Sequence, residues 1–451
     1  MRAVVDPGLV FPKTLAGFKG LIWGCAYVSF TSILSPCSAD EAQGKATVAS
    51  CMTKKGSMVR REANGTTWQI VAEKGALNNG DLLVGMPGAI LHSKNGAVGL
   101  GFLSDLDHMS PYPIIESAVQ LHESSQADLE LTLDRGRVDL VNREENGAAH
   151  VKVHVRKETW ELTLVEPGTR IAMEIYGRWP RGVPFTKTPG PKDEPVADLV
   201  FLVIKGQVRL NHGNVEHTLK APPGPSLIEW DSVTGEDVSP RFLEKLPSWA
   251  TAAKDESDRA KMVKEVLEKF RQTLEKKPIA AAIEEFLNSD NMTERRLAVL
   301  LMGALDDLEG LGKAMRETKL YDVWDNSVVA VRHWIGRKPG QDQILYKRLV
   351  EVAKIQPVEA ETLMQLLHSF GDEDLARPET YETLIDYLAH DRLGVRGLAY
   401  WHLSRLVPAG KEFGYNPLDS ADKRALAIQK WKKLIPAGKL PPRVKPDNRK
   451  K

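Results

Sequence analysis

The sequence predicts a multidomain protein in which an all-β half is followed by an all-α half. The chain has 451 residues, which is more than one hydrophobic core usually serves, so two domains are expected. Runs that alternate apolar and polar residues fill the segment from Thr47 to Gly235, a pattern typical of strands. Apolar residues three and four apart fill the segment from Glu256 to Lys439, a pattern typical of amphipathic helices.

Residues 1–39 have the features of a secretory signal peptide. The apolar run GLIWGCAYVSFTSIL is preceded by three basic residues, Arg2, Lys13 and Lys19. Small residues follow the run and offer a cleavage point after Ala39. The run is shorter than the ~20 residues that a membrane-spanning helix needs. Two alternatives stay open, an uncleaved membrane anchor and a lipid attached at Cys37.

Cysteine usage and charge narrow the class of protein. Cys51 is the one cysteine beyond the signal segment, so the mature chain cannot form an internal disulfide and must rely on core burial. With an export signal, this favours a periplasmic or secreted protein of a bacterial envelope. Lys and Arg total 61 against 60 Asp and Glu, a net charge of +1, which gives no reason to expect a nucleic-acid partner.

Residues 47–235 are predicted to form a β domain, as a sandwich, a barrel or a solenoid. Its strand patterns are bounded by Gly, Pro, Asn or Asp, and strong helical periodicity is absent. Isolated glycines, such as Gly136 and Gly206, indicate bulges or bends where another backbone comes close. We therefore expect the run FLVIKGQVRL, which contains Gly206, to be a scaffold strand that bends at this glycine.

A linker, a helical domain and a tail follow the β domain. Residues 236–255 are rich in Ser, Pro and charge, which is typical of a linker that packs partly on one side. Residues 256–439 carry the helical patterns, and prolines lie between or just ahead of them, as expected for helix starts and breaks. Residues 440–451, LPPRVKPDNRKK, are predicted to be a disordered tail.

The helical half contains an internal echo. FLNSDNMTERRLAVLLM, from Phe286 to Met302, aligns without gaps on YLAHDRLGVRGLAYWHL, from Tyr387 to Leu403. The alignment predicts that an aspartate, Asp290 or Asp391, caps the second helix of each pair. An arginine about one turn later is expected to reach back to that carboxylate or to the preceding turn. Paired helices of this kind stack into α-solenoids, and simple four-helix packing is the alternative.

The β half resembles the FecR domain family over Gly75 to Gly224. The motifs that carry the resemblance, in the family's order, are GDLLVG, GAVGLGF, LELTLDRGRVDLV, WELTLVEPGTRIAMEIYG, VFLVIKGQVRL and VEHTLKAPPG. The resemblance implies a compact β-solenoid or β-sandwich in the bacterial periplasm. In signalling members it also implies relay from an outer-membrane receptor to an anti-sigma segment. The segment before the apolar run is too short for a cytoplasmic anti-sigma domain, which argues against that role here.

The helical half resembles HEAT-type repeats. Its ending, LIDYLAHDRLGVRGLAYWHLSRLVPAGKEFGYNP, is also similar to C-terminal regions of planctomycete-type secreted proteins. The resemblance implies HEAT-like α-helical repeats whose concave surface contacts partners. It implies a lineage and no activity.

The sequence contains no residue pattern that predicts a catalytic residue, a cofactor-binding residue or a metal ligand. His150 and His154 share a strand face but lie about 13 Å apart, too far to share a metal ion. His212 and His217 lie on opposite sides of a turn. The helical-half histidines are expected to form local hydrogen bonds: His368, His390 and His402.

Other motifs also favour a structural interpretation. There is no nucleophile elbow, phosphate-binding loop or zinc-protease motif. The GLGFL run from Gly99 to Leu103 is expected to be a strand bend. Two pairs of acidic residues are expected to be solvated loop charges: Asp105 with Asp107 and Glu144 with Glu145. Four tryptophans of the helical half are expected in its core, with an exposed partner anchor as the alternative: Trp324, Trp334, Trp401 and Trp431.

These observations predict an exported, non-enzymatic interaction or sensing protein with no cofactor. The expected partner is an envelope protein or a cell-surface polymer; no nucleic acid is expected, and a membrane is expected only if the N-terminal segment is retained. Two alternatives differ in class. One is a membrane-anchored FecR-type signal relay. The other is a carbohydrate-binding or hydrolytic β module, which a polar pocket with convergent carboxylates or histidines would favour.

Overall fold

A computed structural model of the chain describes residues 46–104, 115–190, 193–236, 239–250, 257–368, 370–436 and 438–442. The predicted signal peptide at 1–39 and most of the predicted tail lie outside these residues. The β-rich first half and the helical second half that the sequence predicts are both present.

Strands occupy the first half from Thr47 to Asp231. They are β1 Thr47–Cys51, β2 Met58–Arg61, β3 Gln69–Ile70, β4 Ala76–Asn78, β5 Leu82–Gly85, β6 Ile90–Ser93, β7 Val98–Leu103, β8 Ser117–His122, β9 Leu129–Asn142, β10 Ala149–Val155, β11 Glu158–Leu164, β12 Arg170–Arg178, β13 Val196–His212, β14 Val215–Ala221 and β15 Leu227–Asp231. Neighbouring strands among these pair antiparallel, except that β9 and β10 pair parallel.

Two long strands, β9 and β13, bend and so connect two layers of the sheet. The first part of β9 pairs with β8 and β10, and the part after Gly136 pairs with β7 and β12. The first part of β13 pairs with β12 and β15, and the part after Gly206 pairs with β11 and β14. Both glycines have positive φ, 83° and 79°, a conformation that costs glycine little. The predicted bend at Gly206 is confirmed.

The two layers enclose one apolar core. Leu131, Val153 and Leu210 lie in one layer, and Met173 and Phe201 lie in the other. All five side chains belong to one buried apolar cluster. Alternation along the strands places these residues inward and polar residues outward. The lone cysteine, Cys51, is a buried free thiol of this core.

Helices occupy the second half. They are α1 Asp258–Lys276, α2 Ile279–Leu287, α3 Met292–Ala304, α4 Leu308–Glu317, α5 Tyr321–Gly336, α6 Gln341–Glu351, α7 Pro357–Leu367, α8 Asp372–Leu375, α9 Pro378–Tyr387, α10 Leu393–Leu406 and α11 Ala421–Lys432. From α1 to α7 each helix packs on the next, and α9 packs on α8, α10 and α11. The apolar faces of the helices form a continuous core.

The predicted capping of the repeated helices is wrong in both copies. The N-cap of α3 is Asn291, whose side chain accepts a hydrogen bond from the backbone N–H of Thr293. The N-cap of α10 is Arg392, which makes no side-chain capping bond. Each helix begins one residue later than the alignment suggested, so the aspartates Asp290 and Asp391 lie just outside it.

The predicted reach of the repeated arginine is confirmed. Arg295 donates from Nη1 to the carbonyl of Ser289 at 2.8 Å. Arg396, its equivalent, lies with Nη1 3.4 Å from the carbonyl of the equivalent residue, His390. The same contact therefore holds the turn before each second helix, and the internal echo has a structural counterpart.

The two halves share a core and pack directly on each other. Val59, Val84 and Ala118 from the strands belong to the same apolar cluster as the helices. The backbones of β12 and the end of α5 come close together, because a Cβ added to Gly177 would lie 2.5 Å from the carbonyl oxygen of Gly336. Only glycine fits this contact without a shift of the backbone.

A chain segment after β12 also crosses onto the helices. Trp179 donates from Nε1 to the carbonyl of Ile335 at 2.9 Å. The backbone N–H of Phe185 donates to the Gln365 side chain at 3.2 Å, and Gln365 donates back to the Phe185 carbonyl at 2.8 Å. The Gln365 amide therefore pairs with both backbone groups of Phe185, as a residue of a neighbouring strand would, so the β half is held to α7 as well as to α5.

The described part of the predicted linker packs on the β half. Trp249 and Ala250 are buried in a small cluster with Ala172 and Leu202. Arg241 forms an isolated antiparallel bridge with Leu227. The segment therefore covers one face of the sheet before the helices begin.

Candidate functional site

Where the two halves meet, charged side chains form a buried group that we call the junction cluster. It consists of Glu116, Asp134, Arg135, Asp306, His333 and Arg337. Glu116 precedes β8 and Asp134 and Arg135 lie in β9, whereas Asp306 follows α3 and the last two residues belong to the end of α5. The cluster therefore draws on both halves.

The arginines of the junction cluster bridge its carboxylates. Arg337 donates from Nη2 to Glu116 Oε1 at 3.1 Å and from Nη1 to Asp306 Oδ1 at 3.3 Å. Arg135 Nε lies 3.5 Å from the same Glu116 oxygen, and Arg135 also pairs with Asp134. Glu116 thus lies between two guanidinium groups, one from each half.

Surface-facing residues complete the cluster. Lys338 lies with Nζ 2.5 Å from Asp134 Oδ1. Asp306 accepts from Arg61 Nη1 at 2.8 Å and from Trp334 Nε1 at 2.9 Å. Asp306 itself has a positive φ of 60°, which is uncommon outside glycine and is held here by contacts on both of its carboxylate oxygens.

Burial and neighbouring charges set the protonation of this group. Burial lowers the pKa of His333 well below its ordinary value, and Arg337 and Arg135 lower it further, so the imidazole is neutral. Burial lowers the pKa of Arg337 to about 10. Burial alone would raise the Asp306 pKa, but Arg135 and Arg337 lower it overall.

The geometry of the junction cluster favours a structural role over a catalytic one. Glu116, Arg135 and Arg337 are each less than 5% exposed. Their charges point at one another, and the ring of Tyr176 stacks on His333 at 5.4 Å. A substrate has no access to these groups, whereas loss of one partner would leave a buried charge uncompensated.

A cavity of about 700 Å³ opens in the helical half and is partly exposed to solvent. Helices α1, α3 and α5 form its walls, Ile115 reaches it from the β half, and α10 contributes Arg405. Val266, Leu297 and Leu300 form a buried apolar floor. This volume is within the ~300–1,000 Å³ that small-molecule sites occupy.

Charged side chains surround the mouth of this cavity, which we call the arginine-rimmed cavity. Three arginines and two aspartates line it: Arg259, Arg296, Arg405, Asp322 and Asp325. Each aspartate is ion-paired, because Arg295 lies 2.9 Å from Asp322 Oδ2 and Arg405 donates to Asp325 Oδ1 at 3.0 Å. Because the three arginines outnumber the two aspartates, the net charge of the cavity lining is positive.

The electrostatics of the cavity follow from this arrangement. Burial lowers the pKa of Arg296, and the like charge of Arg259 lowers it further. Burial raises the pKa of Tyr321, and the charge of Asp325 adds to the shift, so the phenol is neutral. Arg405 is also stacked 3.9 Å above the ring of Trp401, which fixes its guanidinium plane.

A second, more polar cleft of about 450 Å³ lies in the β half. His122, Asp128 and Glu130 line it, and His154 contacts Glu130 from the neighbouring strand, with Nε2 2.8 Å from Oε1. The two imidazole rings meet edge to face at 5.5 Å. We call this site the polar cleft.

The protonation of the polar cleft favours binding over acid catalysis. Burial alone would raise the Glu130 pKa, but hydrogen bonds from His154 and Ser124 lower it overall. Burial lowers the pKa of His122, and the neighbouring His154 lowers it further. A general acid needs a raised carboxyl pKa, whereas Glu130 is stabilised as an anion.

The histidines that the sequence singled out lie in local contacts. His150 and His154 lie on one face of β10, and His212 stacks on Trp160 at 4.4 Å while contacting Glu158. In the helical half, His402 lies 2.7 Å from the Leu366 carbonyl. His368 lies 3.2 Å from the Val183 carbonyl, so it joins the two halves. His390 accepts from the backbone N–H of Arg392.

The remaining sequence candidates are structural where the structure describes them. The run from Gly99 to Leu103 lies in β7, as predicted. Glu144 and Glu145 lie in the turn after β9, and Asp105 and Asp107 lie outside the described residues. The four tryptophans of the helical half are buried, as predicted: Trp324, Trp334, Trp401 and Trp431.

Sequence reasoning missed both the junction cluster and the arginine-rimmed cavity. Members of the junction cluster lie up to 221 positions apart in the chain, and each alone resembles a surface charge. Gly336, in the last turn of α5, was a local sign of this junction, because a glycine leaves room for a second backbone, here that of Gly177 and Arg178.

Among the described residues, no three His, Cys, Asp or Glu side chains come together in a way that could hold a metal ion. In the same part of the chain, no helix is both long and apolar enough to cross a lipid bilayer.

Comparisons of the chain with protein-family models, with curated proteins and with solved structures find no match. The functional argument therefore depends on the geometry described above.

Proposed function

We propose that the protein is an exported, non-enzymatic interaction or sensing protein whose contact site is the arginine-rimmed cavity. In this proposal a FecR-like β half and a HEAT-like helical half act as one unit. The expected partner is an envelope protein or a cell-surface polymer, or a ligand that reports on the state of the envelope.

The observation that carries the proposal is the cavity itself. It combines a buried apolar floor with a rim of charged side chains, an arrangement common to ligand sites and to partner pockets. Two exposed methionines, Met262 and Met292, lie at its edge. Methionine is flexible and polarizable, so it suits a contact surface.

The electrostatics support a role in binding. Strongly perturbed titratable groups, such as His333 and Arg337, lie in the junction cluster, where the protein itself surrounds them. Catalytic acids and bases need both a tuned pKa and access to substrate. In the accessible cavity, burial raises the pKa of Tyr321, which moves that phenol further from neutral pH and away from use as a general acid or base.

The polar cleft favours a second candidate function, a carbohydrate-binding β module. Its histidines and carboxylates can donate to and accept from hydroxyl groups. The lowered pKa of Glu130 argues against its use as the general acid of a glycoside hydrolase.

Site-specific photo-crosslinking tests the proposed function. A photoreactive amino acid is placed at Met292, which is 61% exposed at the cavity edge, in the full chain expressed in the producing bacterium. We expect covalent products from this position after illumination. Their masses distinguish a protein, a polymer fragment and a small molecule.

The matched control is Leu426 of α11, which is 72% exposed and does not line the cavity. It has a similar apolar side chain and exposure, so it measures chance encounters. Equal yields from the two positions, or no product from Met292, would contradict the proposal. Products from a probe at Lys94, in the polar cleft, would favour the carbohydrate-binding candidate.

A further inference from the structure

The arginine-rimmed cavity has two chemically different parts, and together they specify a class of ligand. Its floor is formed by buried aliphatic side chains of α1 and α3, Val266, Leu297 and Leu300. Its mouth carries Arg259 and Arg296 on the same two helices. A ligand that fills the cavity would therefore meet apolar surface at one end and guanidinium groups at the other.

The charges at the mouth favour an anion. Three arginines and two aspartates line the cavity, so the net charge of its lining is positive. Arg259 and Arg296 are close enough to repel, and this like charge contributes to the lowered pKa of Arg296. A carboxylate or sulfonate between them would reduce that repulsion and accept charge-assisted hydrogen bonds.

The volume favours a small molecule. About 700 Å³ is within the range of drug-sized ligands. The buried floor supplies affinity by removing apolar ligand surface from water, and the arginines supply orientation.

We infer that this cavity binds a small organic anion with an apolar body, of the class of medium-chain carboxylates. This inference rests on the proposed function, since it names the ligand class of the same site. The carboxylate lies between Arg259 and Arg296, and the hydrocarbon chain extends onto the floor formed by Val266, Leu297 and Leu300.

Three probes with the same chain and different heads test the inference. Dodecanoate, dodecanol and dodecyltrimethylammonium are titrated separately into the purified chain by calorimetry, the two ionic probes below their micelle concentrations and dodecanol below its solubility limit. We expect dodecanoate to bind with one site per chain and at least about tenfold more tightly than the other two, because the arginines favour the carboxylate. Higher salt should weaken dodecanoate binding.

Two variants locate the site. The double variant R259Q/R296Q should weaken dodecanoate binding about tenfold or more, whereas Arg316→Gln, an exposed arginine of α4 outside the cavity, should leave it unchanged. Val263→Phe should fill part of the cavity and weaken binding of the chain, whereas Val358→Phe, 75% exposed on α7, should not. Circular dichroism verifies that each variant is folded.

The possible outcomes separate this inference from the proposed function. Equal binding of the three probes would overturn the anion preference and leave an apolar pocket. Binding of dodecanoate that survives both cavity variants would overturn the assigned site. No binding, with crosslinks still formed from Met292, would overturn the ligand class alone. No binding and no crosslinks would overturn both proposals.

Discussion

Replacing Glu116 with glutamine tests how much the junction cluster contributes to stability. Glu116 is 4% exposed and lies between Arg337, at 3.1 Å, and Arg135, at 3.5 Å. Glutamine keeps the size of the side chain but leaves two buried guanidinium groups with less compensating charge. Breaking a buried ion pair from one side costs about 3–5 kcal/mol. We expect the free energy of unfolding to fall by about that amount in a urea titration.

A matched control separates this effect from the removal of any carboxylate. Glu285→Gln removes an ion pair with Lys277 in which both side chains are more than 40% exposed, so we expect a loss of about 0.5 kcal/mol or less. The double variant E116Q/R337M should lose less than the sum of its single variants, because the two groups are in contact. The reasoning is refuted if E116Q costs no more than E285Q.

Three further predictions follow from single residues. The pKa of His333 is lowered in the folded state, so the free energy of unfolding should fall as the pH falls below the unfolded pKa of ~6.5, by about 1.4 kcal/mol per pH unit. Urea titrations at a series of pH values should show this loss. The substitution His333→Gln should remove it. Gly336→Ala should destabilise the protein by about 1–3 kcal/mol in thermal melts, because the added Cβ would lie 2.8 Å from Arg178 Cα. The control Gly312→Ala should be neutral or stabilising, because its Cβ would meet only the end of a flexible side chain, at 3.3 Å. If the predicted signal peptide is cleaved, intact-mass analysis of the protein purified from its producing cells should find an N-terminus at Asp40. A retained first segment would favour the membrane-anchored alternative.

Local patterns predicted the order of strands and helices because their causes are local. Alternation and glycine placement were enough to predict the bend at Gly206, since the left-handed backbone there requires that residue. The repeated arginines, Arg295 and Arg396, were placed correctly because their contacts lie only six residues away in the chain. The cap was misplaced because Asn291 and Asp290 are adjacent and both can cap a helix.

The sites could not be predicted in the same way because they depend on contacts between distant segments. Glu116 meets Arg337 only after the β half has packed on α5. The arginine-rimmed cavity likewise exists only where α1, α3 and α5 leave space between them. Amphipathic periodicity places Leu300 and Val266 on the inward faces of α3 and α1, but it does not reveal that a cavity remains between these helices.

Native-state hydrogen exchange across a urea series tests the central claim most directly, namely that the two halves form one body joined by buried charge. We predict that peptides from β12 and from α5 reach the same free energy of opening and shift together in E116Q. Separate opening of the two halves, with β12 unaffected by the substitution, would contradict the account.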